Sequence, residues 1–395
     1  MSLRPEAFLN DPISRLWQFP LGDELVVARD DVQGLFLLNG TARFLWEQFH
    51  DFDHLNDDAD LARTIQSFAA RYGVSDCLAR QDIEATLNGW SEGLLSHARG
   101  NGIPKADPSS VWHCPARNGV VVEINCVLNG RGFRVLLDPG DLVEEIAPRL
   151  AAVAVPHLPP DMPFVTFGLA DRGDRVFVFR DRVCIAGEES APRARAILLQ
   201  ELTVHCGPGR KASAILHAGA CGTASDCVIL AGATHAGKST LCAALMAGGF
   251  YCYSDDSSVL DRQFRVSGMP FPLTLRKSSW PVLESRFPSF TDSAPIHRRS
   301  GCAVRFLPSN LPAKSSPAVT ARALVFVDYR PSAPAKLERL RPFEALLALR
   351  QCGFWVEHDR GSIARFLDWI DRLDSYKLTY SLIDEASGVV SGLLA

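Results

Sequence analysis

Apolar residues in the first hundred positions come first in short runs and then at helical spacing. Leu16-Trp17-Gln18-Phe19, Leu25-Val26-Val27-Ala28 and Leu35-Phe36-Leu37-Leu38 are separated by Gly22-Asp23 and Asp30-Asp31, which predicts three strands joined by turns. Asn39-Gly40-Thr41 then caps a helix carrying Phe44, Leu45 and Phe49, since an Asn side chain accepts from the free N–H groups of a first helical turn. After an acidic loop (Asp51, Asp53, Asp57, Asp58, Asp60), Leu61, Ile65, Phe68 and Tyr72 mark one face of a second helix, ended by Gly73. Ile83, Leu87, Trp90 and Leu94 mark a third. Residues 1–97 therefore read as a small α+β module without an acid–base constellation, so binding is its expected role.

Residues 98–110, ARGNGIPKADPSS, lack periodicity and read as a linker. Residues 111–208 alternate strand-like runs with turns: Val120–Ile124, Phe133–Leu137, and a hairpin of Arg175–Phe179 with Val183–Ile185. Pro192 to Cys206 reads as a helix with proline in its first turn, where a missing N–H is harmless. No chemistry is evident in this stretch, and the isolated His113, His157 and His205 read as surface or satisfied core histidines. It is expected to extend the sheet of the part that follows, residues 209–395. There, Phe343–Leu349 and Ile363–Leu373 are expected helices, Tyr376–Ile383 a strand, and all three are expected to cover that sheet.

The densest chemistry lies between Val228 and Leu260. Val228-Ile229-Leu230 suits a buried parallel strand, and Ser239 to Met246 is a helix-forming segment ended by Gly248-Gly249. Between them Gly232-Ala233-Thr234-His235-Ala236-Gly237-Lys238-Ser239 fits G-x-x-x-x-G-K-[ST], a loop whose amides and following helix N-terminus cradle phosphate. In that reading residues 232–240 bind ATP, Lys238 reaches the β/γ-phosphates, and the Ser239 hydroxyl ligates Mg²⁺.

Two further features frame the loop. Asp255-Asp256 follows the expected strand Phe250–Tyr253, and carboxyl ends of parallel strands are where ligand chemistry gathers. One carboxylate suits the metal and the other a general base toward an attacking hydroxyl; the bland alternative is a strand-end turn. Mutual repulsion raises one of their pKa values. His217 ends the apolar run Ala214–Leu216 and by itself reads as a core histidine, with a site residue as the alternative. Arg276-Lys277 is either a substrate contact or a solvated pair, His235 is expected to turn to solvent or a neighbour, and Arg298-Arg299 reads as surface.

Composition narrows the field only modestly. With 395 residues, two or three domains are expected, and 47% hydrophobic with 22% charged residues is ordinary for a globular chain. A net charge of −4 gives no argument for nucleic acid or an anionic membrane. The 11 cysteines form no zinc-spaced cluster, and those near the loop (Cys221, Cys227, Cys242, Cys252) read as buried thiols. Without a signal segment or an apolar run of about 18 residues, a cytoplasmic protein is expected.

Two resemblances sharpen these expectations. Gly34–Ala42 with Phe44-Leu45-Trp46, then Ala69–Val74, then the helix from Ile83 to Leu95 resemble the PqqD-like recognition element of ribosomally made, modified peptides. This implies a winged-helix-like module that binds a precursor leader peptide as an added strand; a plain scaffold is the alternative. His217, Gly232–Ser239 and Asp255-Asp256, with Pro270–Trp280 and Ala323–Tyr329, resemble the HPr kinase/phosphorylase superfamily, more closely its branch in peptide-modification clusters. That resemblance implies an α/β P-loop kinase core, Asp256 as base, Asp255 and Ser239 on the metal, and His217 beside the phosphate or the base. Thr240 replaces the family's acidic residue, His235 stands at a usual glycine, and the downstream Gly-rich signature is missing, which argues against HPr as substrate. Together the resemblances imply a Ser/Thr peptide kinase akin to lasso-peptide tailoring kinases, working with other peptide-maturation enzymes and with room for a homo-oligomer. A small-molecule kinase and a nucleotide-switched binding protein are the rival readings.

Overall fold

Strand β1 (Leu16–Leu21) turns through Gly22 into β2 (Glu24–Arg29), and β3 (Phe36–Leu38) pairs with the far side of β2, all antiparallel in the order β1-β2-β3. Asn39 Oδ1 accepts the Ala42 N–H at 2.9 Å and so caps α1 (Gly40–Gln48), as its position in the sequence predicts. Helices α2 (Asp58–Tyr72) and α3 (Asp76–Glu92) follow. Leu25 and Val27 on one face of β2 join Leu45, Trp46, Ile65, Phe68, Ile83, Leu87 and Trp90 in a shared core, with Trp46 and Trp90 edge to face at 5.2 Å.

The computed structural model describes residues 15–48, 58–92, 94, 121–206, 212–290, 293–298, 301–312 and 318–394. The expected acidic residues Asp51, Asp53 and Asp57, the linker 98–110, Phe49, Leu95, His113 and Arg299 lie outside them. The chain is a mixed α/β protein of two units, residues 1–102 with 358–371, and residues 103–357 with 372–395.

In the second unit, β4 (Val122–Leu128) and β5 (Arg131–Leu137) make a hairpin, followed by α4 (Asp141–Leu150). Strands β6 (Ala154–Val155), β7 (Phe164–Asp171), β8 (Val176–Arg180) and β9 (Val183–Glu189) complete a six-stranded sheet of order β6-β4-β5-β7-β8-β9. This sheet is separate from the one around the glycine loop, rather than the expected extension of it. Helix α5 (Ala191–Cys206) packs Ala194, Leu198 and Leu202 onto its core together with Leu142, Ile146 and Leu150 of α4. Helix α4 escapes the sequence reading because Pro148 interrupts it, near its end.

The remaining strands build the site. Strands β10 (Ala214–Leu216), β11 (Ala218–Gly222) and β12 (Asp226–Ala231) lead through the glycine loop into α6 (Lys238–Ala247), then β13 (Tyr251–Ser254), β14 (Ser258–Leu260) and β15 (Val266–Ser267). Strand β16 (Leu273–Arg276), the short helix α7 (Trp280–Leu283), β17 (Ile296–His297) and β18 (Ala303–Leu307) form a small lobe with sheet order β16-β18-β17. Next come β19 (Thr320–Tyr329), β20 (Lys336–Leu340), α8 (Pro342–Cys352), β21 (Phe354–Val356), α9 (Arg360–Arg372), β22 (Asp374–Tyr380) and α10 (Ile383–Gly392). The central sheet runs β13-β11-β12-β19-β22-β20, with β12, β19 and β22 parallel. Strand β13 is antiparallel to β11, as β12 is, so β12 and β13 point the same way and end on the same side.

Helix α9 differs from its expected place over the central sheet. Residues 358–371 cluster with the N-terminal unit. Trp17 lies opposite Ala28 in the β1–β2 ladder, on the face away from Leu25 and Val27, and its ring meets His358 at 5.6 Å. His358 Nε2 also bonds the Arg29 carbonyl at 2.7 Å. Val26 and Ala28 on that second face are fully buried, as are Ile363, Phe366 and Ile370 of α9. The three-stranded sheet is thus covered on both faces, by α1–α3 and by α9. A fragment of residues 1–102 is expected to melt without a cooperative transition, and the same fragment joined through a flexible linker to residues 356–372 to melt cooperatively. In the whole chain, Phe366→Ala should destabilise this unit by about 3–5 kcal/mol, read by hydrogen exchange of β2 amides.

Candidate functional site

Two strand pairs lie side by side and cross from one sheet to another. Strand β10 continues into β11 through His217 alone, and β13 continues into β14 through Asp255-Asp256-Ser257. Ala220 pairs with Ser254 before the crossing and Leu216 with Ser258 beyond it. Between these pairs the ladder is replaced by side chains: the Ala218 carbonyl accepts from Ser254 Oγ at 3.3 Å and from Ser258 Oγ at 3.0 Å. Ser254 Oγ also accepts the Ser257 N–H at 3.1 Å. The His217 N–H donates to the Gly353 carbonyl at 3.0 Å, where β21 begins. This crossing brings His217 to the aspartate pair, with Nδ1 3.4 Å from Asp256 Oδ1. Both groups are open to solvent, at 40% and 68% side-chain exposure, so this pair can take up a reactant.

The glycine loop sits at the same end of the central sheet. Gly232 (φ 156°) cannot carry a side chain, because a Cβ there would lie 2.7 Å from the Val327 carbonyl oxygen. Gly237 (φ 94°) lies against the Tyr380 hydroxyl, which a Cβ would meet at 2.1 Å. Ala233, Thr234 and His235 form the exposed crest, while the Ala236 carbonyl accepts the Tyr329 N–H at 3.3 Å and ties the loop to the end of β19. Lys238 is 8% exposed, and its Nζ donates to the Gly232 and Ala233 carbonyls at 2.7 and 3.2 Å. Its ammonium is therefore held over the loop. His235 adopts φ 72° and turns to a neighbour: Arg276 Nη1 donates to its Nε2 at 2.7 Å. Thr240 is bonded through its hydroxyl to Ser279 at 2.7 Å.

Asp255 joins the loop to the crossing. Its Oδ2 accepts the Thr274 N–H at 2.9 Å, while the buried Oδ1 has no hydrogen-bond partner among the described residues. The Ser239 hydroxyl stands close enough to lower its pKa but completes no bond to Oδ1. Burial foremost, then Cys242 and Asp256, pushes the Asp255 carboxyl up to about 7. A carboxylate with one orphaned oxygen, beside a serine hydroxyl at the start of a helix, fits a hard divalent cation such as Mg²⁺. Cys221, Cys242 and Cys252 also cluster, with sulfurs within 4.8 Å of one another, fully within the core behind α6. There they behave as packed thiols: Cys221 Sγ donates to the Cys242 carbonyl and Cys252 Sγ to that of Ser254.

Beside the aspartates opens a cleft of about 490 Å³, lined by His217, Asp255 and Asp256, by apolar Phe271 and Trp355, and by Arg149, Arg193 and Gln200. The last three come from α4 and α5, in the stretch where the sequence suggests no chemistry. Arg149 donates from Nη2 to Thr274 Oγ1 at 2.7 Å, so Thr274 links it to Asp255. Burial, and then Arg195 and Arg298, hold the Arg149 pKa down to about 10. Arg298, expected at the surface, is only 11% exposed and pairs with Glu145 at 3.3 Å. Charged residues scattered over α4, α5 and the β16–β18 lobe carry no shared local pattern, so nothing in the sequence signals their convergence. His205, by contrast, is satisfied as expected, by the Glu201 carbonyl at 2.9 Å, and His157 is exposed.

No protein-family model matches this chain, and no curated protein matches it at a significant level. Among the described residues no helix is long and apolar enough to cross a membrane.

The Asp255 carboxyl carries a measurable consequence. A carboxyl raised from 3.8 to about 7 resists ionisation in the folded state, so its penalty grows from about pH 4 and is complete above about pH 7. Asp255→Asn keeps an acceptor for the Thr274 N–H and removes the charge. In buffer with chelator, the variant should therefore gain stability over the native chain as pH rises through this window, by at most about 4 kcal/mol. Denaturant unfolding at pH 4.5 and 8 checks this; equal differences at both pH values would contradict it.

Proposed function

We propose that the protein is an ATP-dependent kinase that transfers the γ-phosphoryl group to a Ser/Thr hydroxyl of a precursor peptide bound by its N-terminal unit. The observation that carries this reading is that Asp255 faces the Ser239 hydroxyl on one side and lines, with Asp256 and His217, an open cleft on the other. Phosphoryl transfer needs this division: phosphates held on one side, a hydroxyl and its base on the other.

The loop amides of residues 232–240 and the N-terminus of α6 would hold the β- and γ-phosphates. The Lys238 ammonium would exchange its two loop carbonyls for phosphate oxygens, gaining charge-assisted hydrogen bonds. Ser239 and Asp255 would hold Mg²⁺, which when bound neutralises developing phosphate charge. Asp256, the exposed carboxylate, would accept the proton of the attacking hydroxyl, and His217 would orient it through the Nδ1 contact. Gly237 and Gly232 keep the loop backbone against Tyr380 and Val327, so the cradle is preformed.

The peptide assignment rests on the PqqD-like resemblance and on one structural fact. Among the described residues β3 pairs with β2 alone, leaving its outer edge for an added strand. Capture there would raise the local concentration of the peptide's acceptor segment.

Intact-mass analysis of a precursor peptide incubated with the protein, ATP and Mg²⁺ should show the gain of one phosphoryl group. Asp256→Asn should slow this gain by about 10²–10⁴-fold while nucleotide affinity stays close to that of the native chain. Lys238→Ala should weaken both. A bound but unmodified peptide would leave a nucleotide-switched binding protein as the better reading; modification of a small hydroxylated molecule instead would assign a small-molecule kinase.

A further inference from the structure

Three guanidinium groups lie near one another, and one of them, that of Arg149, lines the cleft. Arg195 and Arg298 share the carboxylate of Glu145, which is 2% exposed, and Arg149 lies close enough to both arginines to be depressed by their charge. Two nearly buried guanidinium groups thus share one carboxylate, with that of Arg149 close by. Their donors are not exhausted. Among the described residues, Arg149 Nε and Arg298 Nη2 are buried without a hydrogen-bond partner, while Arg298 Nε meets Glu145 Oε2 at 3.3 Å as an ion pair. Arg149 itself is 8% exposed, donates from Nη2 to Thr274 as its one hydrogen bond among the described residues, and stacks over Phe306 at 5.0 Å.

An unmatched buried guanidinium is costly unless something of opposite charge completes it. Asp255 and Asp256 offset part of the charge from a distance, but neither accepts a hydrogen bond from Arg149. The cleft is where a completing group can enter, because Arg149 lines it beside Asp256 and the exposed Arg193 stands on the same wall. A fixed guanidinium fork favours a planar or tetrahedral oxyanion, which takes two parallel N–H bonds.

We propose that Arg149, backed by Arg298 and assisted by Arg193, forms an anion subsite that receives an oxyanion carried by the acceptor. Resting on the phosphoryl-transfer reading of the same cleft, this makes the preferred acceptor a hydroxyl with a carboxylate or phosphate group near it. Arg149 is then a specificity determinant. Thr274, which accepts from Arg149 and donates to Asp255, sets the subsite beside the reacting centre.

Direct binding of simple anions tests the subsite without requiring turnover. The full chain carrying Lys238→Ala, in which the glycine loop has lost its own phosphate ligand, is titrated calorimetrically with inorganic phosphate and, separately, with acetate. Saturable binding of at least one of them is expected, weakened roughly tenfold or more by adding Arg149→Gln. Arg193→Ser should weaken it less, and Arg149→Lys should retain part of it. Tighter phosphate binding assigns a phosphorylated acceptor, and tighter acetate binding a carboxylate-bearing one. Should Arg149→Gln fail to fold by circular dichroism, Arg149→Lys and Arg193→Ser decide. No saturable binding, or binding indifferent to these arginine changes, overturns the subsite. Anion binding that survives in a protein without kinase activity would leave the subsite standing and remove the transfer reading instead.

Discussion

The Ala218 carbonyl, clamped by the hydroxyls of Ser254 and Ser258, is the constraint on which the site depends. At that point two neighbouring strands leave one sheet for another, and a backbone ladder cannot continue through the change of direction. A carbonyl left bare there would be buried and unpaired, at a cost of about 1–3 kcal/mol. The two serines satisfy it, at 5% and 0% exposure, and in doing so bracket Asp255-Asp256-Ser257. The same crossing leaves His217 as the single residue between β10 and β11, opposite the aspartates. The histidine and the acid pair are therefore set by one local solution to a hydrogen-bonding problem.

Around this crossing the protein keeps more charge than an ordinary core tolerates. Asp255 is half-buried with one buried oxygen unmatched, and Arg149, Arg195, Arg298 and Glu145 lie close by. Carboxylate and guanidinium groups partly offset each other through Thr274, which bonds one through its amide and the other through its hydroxyl. Such an arrangement is poor for stability and suited to binding, since a ligand that completes the unmatched groups releases the strain of burying them. The glycine loop differs in kind: its shape is fixed by contacts of Gly232 and Gly237 with neighbouring strands that leave no room for a Cβ.

Chain connectivity adds a second constraint. Helix α9 completes the N-terminal unit, yet β21 and β22 at its two ends belong to sheets of the second unit, β21 beside His217 and β22 between β19 and β20 in the central sheet. Among the described residues, the first hundred cover one face of the N-terminal sheet and α9 covers the other. Folding of that unit must therefore wait for residues some 330 positions downstream of Arg29, as the bond from His358 to the Arg29 carbonyl illustrates.

The sequence by itself determined the local elements and the loop. Short apolar runs and helically spaced apolar residues specified β1–β3, α2 and α3. Asn39 specified its cap within a few residues, and the G-x-x-x-x-G-K-S spacing marked the strand–loop–helix unit, although the close approaches that require Gly232 and Gly237 come from Val327 and Tyr380, far along the chain. It also put His217 and Asp255-Asp256 at the ends of apolar runs. Only the tertiary structure decided that these residues meet, since that depends on the β10–β14 and β11–β13 registers. It alone buried Arg298, drew Arg149 and Arg193 to the cleft, and gave α9 to the N-terminal unit. A buried arginine and an exposed one look alike in sequence; what separates them is which distant carboxylate, hydroxyl or ring the fold carries to their side.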